Sequence, residues 1–332
     1  MRVAIFLLGL SLATAVKGAE TTSEVKVAAI QCSSIMGDVA ANRQKLMLLI
    51  EEAATNGAKI VVLPEAAITG YLSQDVHTNW HLRGWPMEST FTGRDPLPCA
   101  ETVPGPSTQQ FGALAKRLRI YLTVPFVEID RQFDPPHLYN TACLVAPSGD
   151  LVAHYRKLTP WPFPEKSWAT PGDRGVQYYD TEYGRVGLAI CYDIYAILEK
   201  YQPYHIWALL YPIAWVDNRE PSDWFGHRLP QRIARFHHYL IGANWSVDKD
   251  QPWLGYGYST IISPNGEVLA SAKTLHGSEI VYAIIPTASR RRPSRCDLPV
   301  GTGEPESRES PPYQHEPGDG LEDLVLDVNL LL

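Results

Sequence analysis

Residues 184–193 read GRVGLAICYD, and this stretch decides the fold. Val186 to Ile190 is a short apolar run led by Gly184 and Arg185, the pattern of a buried β-strand. The run stops at Cys191, and the residues from Tyr192 to Lys200 read as a helix. A cysteine at a strand-to-helix turn can present its sulfur at the strand end, next to backbone N–H groups that have no helical partner and can receive an oxyanion. A small buried core residue is the competing reading of a free cysteine.

Two other strand ends carry chemistry of the same kind. Ile60-Val61-Val62-Leu63 is an apolar strand that ends in Pro64-Glu65. A carboxylate there is desolvated on one side, which raises its pKa and suits a general base; a helix cap or surface acid is the alternative. The strand at 151–155 runs out in Arg156-Lys157. An ammonium at that point can stabilise a thiolate or an oxyanion, whereas a lone lysine is ordinarily a solvated one.

The surrounding periodicities predict a layered α/β chain. Strands are expected at 25–31, 60–63, 120–127, 139–145, 151–155, 206–211, 239–244, 258–262, 268–270 and 280–284. Helices are expected at 38–54 with Asp38 or Asn42 as cap, from Ser107 or Thr108 through Leu118, and from Ser222 or Asp223 to about Phe236. Pro147-Ser148-Gly149-Asp150 and Pro264-Asn265-Gly266-Glu267 read as hairpin turns. Residues 72–98 have no clear period and read as a binding loop, a lid or irregular surface. The sequon Asn244-Trp245-Ser246 ends a core strand, where a glycan is not expected.

The chain has 332 residues, a net charge of −7 and 45% hydrophobic residues, enough for one large domain or two ordinary ones. The mild acidity and the lack of a basic block interleaved with aromatics argue against nucleic-acid binding. Met1-Arg2, the apolar run from Val3 to Leu12 and Ala13-Thr14-Ala15 have the three parts of an export signal. That run is too short to span a bilayer, and no later stretch is long enough. The mature chain is expected to begin between Val16 and Thr22, secreted or periplasmic. Five cysteines (Cys32, Cys99, Cys143, Cys191, Cys296) would leave Cys191 over, with up to two disulfides among the rest. Their spacing is wrong for zinc.

The ordered set Pro64-Glu65, Tyr155-Arg156-Lys157 and Ile190-Cys191-Tyr192-Asp193 resembles the nitrilase superfamily of carbon–nitrogen hydrolases. Matching segments lie at 25–31, 60–70, 155–158, 184–194, 210–215 and 257–269, and span most of residues 25–285. The resemblance implies an α/β fold, a four-layer α-β-β-α sandwich, with domains at 1–19 (signal peptide), 23–286 (carbon–nitrogen hydrolase) and 287–332 (Pro-rich tail). It implies Cys191 as nucleophile, Glu65 as general base, Lys157 as the third member and Glu165 as a second glutamate that positions substrate. Tyr192 would offer its N–H to the oxyanion, and Trp215, with Trp161 and Trp168, is a candidate for the acyl pocket or for plain packing. No metal or organic cofactor is implied; the expected partners are a small amide substrate and further copies of the chain, in a homodimer or a higher homo-oligomer.

Cys191-Tyr192-Asp193-Ile194 is similar to the amidase branch rather than to the Cys-Trp-Glu of nitrilases. It departs from the branch's Arg-Phe-Pro-Glu continuation, which here is Tyr195-Ala196-Ile197-Leu198-Glu199. Tyr211-Pro212-Ile213-Ala214-Trp215 is similar to the secreted vanin and biotinidase group, which cleaves secondary amides. A nitrile hydrolase, an N-carbamoyl hydrolase and a catalytically silent binding scaffold remain as alternatives.

Overall fold

Strand β1 (Glu24–Gln31) alternates its side chains between two cores. Val25, Val27 and Ala29 enter one, and Ala28 and Ile30 the other. The same parity holds in β2 (Ile60–Val62), where Ile60 and Val62 join the first core and Val61 the second. A strand buried on both faces reads as an unbroken apolar run, as β2 does and as β1 does from Val27 to Ile30.

The computed structural model describes residues 23–71, 95–161, 165–215, 223–246 and 256–288. Helix α1 (Val39–Thr55) is capped by Asp38, whose Oδ1 accepts from the Ala41 N–H at 3.0 Å. Its Leu46, Ile50 and Ala53 pack in the second core with Phe111, Leu114 and Ala115 of α2 (Pro106–Leu118). The α2 cap is Gly105, not Ser107 or Thr108. Pro106 occupies the first turn, and the Thr108 hydroxyl instead accepts from the Gly105 N–H at 2.8 Å.

The remaining strands are β3 (Tyr121–Asp130), β4 (His137–Val145), β5 (Leu151–Arg156), β6 (Tyr178–Thr181), β7 (Gly184–Leu188), β8 (Ala208–Pro212), β9 (Tyr239–Ala243), β10 (Thr260–Ile262), β11 (Val268–Ser271) and β12 (Glu279–Pro286). They form two sheets of six strands, ordered β12-β1-β2-β3-β4-β5 and β11-β10-β9-β8-β7-β6. In each sheet three central strands run parallel and the outer ones antiparallel. Helices α3 (Ile197–Tyr201) and α4 (Leu229–Ala234) pack with the second sheet through Ile197, Leu198, Tyr201, Leu229 and Ile233. The result is the expected α/β sandwich.

Where the structure departs from the sequence expectations, the cause is local. The helix expected from Tyr192 to Lys200 is broken: a 3-10 turn covers Cys191–Tyr195, Ala196 leaves helical geometry (φ −133°, ψ −9°), and only then does α3 begin. Gly187 shows why α3 sits close. A Cβ there would stand 2.8 Å from the Tyr201 ring, whose hydroxyl accepts from the Leu188 N–H at 2.9 Å. Strand β6 is absent from the sequence expectations because its residues are half-exposed and carry no apolar run. Strand β10 starts two residues late because Tyr258 has φ +56°. A π-helical turn, Trp224–Arg228, precedes α4, which ends at Ala234.

No disulfide forms among the four described cysteines. Cys32 and Cys143 are free and buried in the second core, and the half-buried Cys99 thiol donates to Pro96 O at 3.2 Å. Cys296, the segment expected to be an export signal (1–19), residues 72–94 and the chain from Ser289 onward lie outside the described residues. No helix among the described residues is long and apolar enough to cross a membrane. Asn244 of the sequon is fully buried, and its Nδ2 donates to Gly257 O at 2.7 Å.

Candidate active site

The parallel strands β2 and β7 deliver Glu65 and Cys191 from their carboxyl ends, one from each sheet, where layered α/β folds collect reactive groups. Glu65 lies three residues past β2. Its N–H donates to Ile213 O at 3.2 Å, and its carbonyl accepts from Trp245 Nε1 at 2.8 Å, so loops of the second sheet hold it. Lys157 follows β5, its N–H donating to Asn140 O of β4 at 2.8 Å. Glu165 opens the short 3-10 turn Glu165–Ser167.

The side chains of Glu65, Lys157 and Glu165 are fully buried. Lys157 Nζ donates to Glu65 Oε1 and to Glu165 Oε2, each at 2.7 Å. Asn140 Nδ2 spans the same two carboxylates. It donates to Glu65 Oε1 at 2.7 Å and makes a short bond to Glu165 Oε1. The Trp161 N–H also donates to Glu165 Oε2. Among the described residues, the buried Glu65 Oε2 has no hydrogen-bond partner.

The electrostatics follow from this burial. Desolvation raises the Glu65 carboxyl to about 7, Lys157 opposes the rise and Glu165 adds to it. Burial alone would lower the Lys157 pKa, but Glu165 and Glu65 outweigh it and hold the ammonium charged. The Cys191 thiol is pushed well above its ordinary value by burial and by Glu65, while Lys157 and the Ala214 backbone N–H pull the other way. One ammonium thus faces two carboxylates. A thiolate made without moving its proton to a carboxylate would add a second uncompensated negative charge in a dry site, so Glu65 is the group placed to take that proton.

Cys191 has φ +43°, an uncommon conformation for a residue with a Cβ, at the turn from β7 into the 3-10 segment. Two anchors hold it. The Tyr211 hydroxyl donates to Cys191 O at 2.7 Å. The buried Asp193 accepts from the Tyr155 hydroxyl (2.6 Å) and the Thr159 N–H (2.8 Å), the residues two before and two after Lys157. Asp193 therefore braces the cysteine turn against the lysine strand end. Burial raises its carboxyl to about 6, with Lys157 and these bonds opposing.

The Tyr192 N–H lies in the first turn of the 3-10 segment, where a backbone donor has no intrahelical acceptor. Trp215 follows Ala214, stacks on Trp224 at 4.6 Å and donates its backbone N–H to Asn244 Oδ1 at 2.9 Å. Trp161 packs with Ala66, Tyr71, Ala214 and Trp245. Trp168 belongs to a separate cluster with Val127, Ile129 and Leu138, which removes it from the acyl-pocket candidates. Sequence reasoning missed Asn140. The available signal was a polar residue at 140 in register with Ala142 and Leu144, which face the core between the sheets.

Residues 26–292 match the family model described as carbon-nitrogen hydrolase. The chain is 34% identical over 278 residues to omega-amidase NIT2 of Homo sapiens, covering 80% of this chain and 89% of that protein. It is 31% identical over 279 residues to omega-amidase NIT2 of Danio rerio, covering 79% and 88%. Among solved structures, Saccharomyces cerevisiae Nit3, a member of branch 10 of the nitrilase superfamily, superposes with a TM-score of 0.64 at 26% identity, covering 79% and 90%. An amidase from Nesterenkonia sp. shares the fold at a TM-score of 0.63 and 17% identity, covering 80% of this chain and 91% of that one. Two parallel-centred sheets, with a buried glutamate and a strained cysteine at facing strand ends, carry the same conclusion as these likenesses: the chain belongs to the carbon-nitrogen hydrolase family, as an amidase-type hydrolase of C–N bonds other than peptide bonds.

Proposed function

We propose that the protein hydrolyses a small carboxamide through a thioester on Cys191, with Glu65 as the proton carrier and Lys157 as the fixed cation. The observation that carries this reading is the asymmetry of Glu65: Oε1 is held by Lys157 and Asn140, and Oε2 has no hydrogen-bond partner among the described residues, in a site whose thiol needs a base. Glu65 takes the Cys191 proton as sulfur attacks the amide carbon. The Tyr192 N–H and the Lys157 ammonium receive the developing oxyanion. Glu65 then protonates the leaving nitrogen, and ammonia or an amine departs. Water, deprotonated by Glu65, attacks the thioester; the acid leaves and the proton returns to Cys191. Glu165 holds Lys157 and helps orient the substrate, and Trp215 lines the acyl side.

The substrate class we propose is an ω-amide, a carboxamide at the far end of a short carboxylic acid, because the relatives reported above carry that activity in their names. The test is a panel of ω-amides, short aliphatic amides, pantetheine-type secondary amides, N-carbamoyl compounds and nitriles, scored for nitrogen release and acid formation. One ammonia per acid from an ω-amide is expected. Release of CO2, or turnover of nitriles alone, would move the assignment to the other chemistries. The pH profile is a second check. Glu65 must be ionised to act as a base, so kcat/KM should fall as pH drops through about 7, tenfold per unit below it. A profile flat between pH 5 and 8 would exclude Glu65 as the base.

Export is proposed on the pattern of Met1 to Ala15. N-terminal sequencing of the protein from its own cells should find a first residue between Val16 and Thr22. A retained Met1 would overturn it. A homodimer is proposed from the family resemblance alone and is checked by light scattering of the purified chain.

A further inference from the structure

Lys157 alone does not decide which oxygen of Glu65 acts as the base. An ammonium is a rotatable point charge on a flexible stem and binds either oxygen of a carboxylate equally well. A planar amide held on a strand is different: its two N–H bonds have fixed directions. Asn140 sits in the middle of β4, paired with Val127 of β3. Its buried Nδ2 bonds Oε1 of Glu65 and Oε1 of Glu165, and its carbonyl accepts the Lys157 N–H. One residue thus touches three of the four polar groups of the site.

We propose that Asn140 is a positioning residue for the reaction: its amide nitrogen clamps Glu65 through Oε1, leaves Oε2 as the single oxygen that exchanges a proton with Cys191, and locks Glu65 to Glu165 in one orientation. The inference rests on the reading of Glu65 as the base. Two further observations support it. Asn140 Oδ1 is buried without a hydrogen-bond partner among the described residues. A residue kept only for the sheet would be costly in that state, since an apolar side chain on this core-facing register would bury no unpaired amide oxygen. Asn140 also shares its strand face with Ala142 and Leu144, so its polarity serves the site rather than the sheet.

The groups facing Glu65 are the Lys157 ammonium, the Glu165 carboxylate, the Cys191 thiol and the hydroxyls of Tyr71 and Tyr211. Asn140 is an uncharged donor on Oε1 of this carboxylate. Its removal destabilises the ionised form and leaves the charges in place. The deciding measurement is the pH dependence of Cys191 alkylation by iodoacetamide in the full chain, which needs no substrate turnover. The wild-type rate should rise with pH through a limb near 7. In Asn140→Leu and in the smaller Asn140→Ser, which guards against a folding failure of the first, the limb should move up by about one pH unit. On the amide substrate, kcat should fall about 10- to 100-fold with KM within about threefold, because the loss is in the aim of the base and not in substrate binding. A limb that stays at its wild-type pH in folded variants, with kcat unchanged, overturns the proposal. A wild-type protein with no limb near 7 instead refutes the assignment of Glu65 as the base, so the two failures are distinguishable.

Discussion

Cys191→Ala should lower amide turnover by at least about 10⁴-fold while leaving the fold intact. The nucleophile is the group whose loss no other member of the site can cover. Without sulfur, Glu65 has no thiol proton to take, and water would have to attack the far less reactive amide directly from an arrangement built for a thioester. The fold should survive because the substitution removes only the thiol. The strained turn is held by the Tyr211 hydroxyl on the residue-191 carbonyl and by the Asp193 bonds to Tyr155 and Thr159, and none of these uses the sulfur. Alanine meets the same φ of +43° with the same Cβ, so backbone strain is unchanged. The measurement is ammonia release over hours at high enzyme concentration, with a thermal melt beside it. A melt within a few degrees of wild type and no turnover is the expected pair. Residual turnover above about one per cent would mean that another group is the nucleophile.

Lys157→Met should be the most damaging substitution for stability, at about 3–5 kcal/mol. The methionine fills a similar volume but leaves Glu65 and Glu165 facing each other, both fully buried, with no cation between them. Asn140 and the Trp161 N–H still donate to them, but neither supplies charge. The sign of the pH dependence follows. In the wild type the Lys157 charge opposes the rise of the Glu65 carboxyl. Once that charge is removed, the Glu65 carboxyl rises above its wild-type value of about 7, and its protonation relieves the repulsion, so the variant's deficit should shrink as pH falls through that raised value towards 7. Urea unfolding at pH 5 and pH 8 reads this directly. A deficit that is constant across that range, or below about 1 kcal/mol, would show that the carboxylates do not depend on Lys157. Turnover should be lost as well, because the same ammonium faces the developing oxyanion.

Much of this site is legible before any fold is known. Glu65, Lys157 and Cys191 each stand where an apolar run gives out, and a strand end is a local property that hydrophobic periodicity marks. The runs at 60–63, 186–190 and 206–211 identify their strands because both faces are buried, and the Asp38 cap follows from the preference of an Asp for the first turn of a helix. The four-layer architecture itself came from the resemblance carried by the three motifs.

Other features depend on groups far apart in the chain. Strand β12 completes the first sheet beside β1, with Val25 opposite Ile285, a pairing that no local pattern specifies. Strand β6 exists because β7 offers it an edge, not because its own residues favour a strand. The helix after Cys191 breaks at Ala196 although its sequence reads as continuous. Asn140 reads in isolation as one polar residue in an apolar strand, and Glu165 as a surface acid in a Pro-rich loop. Each acquires its role only when β4, β5 and the turn after β2 bring two carboxylates, an ammonium and an amide into one dry space. The sequence by itself determined most of the buried strands and which reactive side chains sit at their tips, because those depend on periodicity within a few residues. The tertiary structure alone decided which tips meet and what their pKa values become, because desolvation and charge pairing arise only once the sheets have packed.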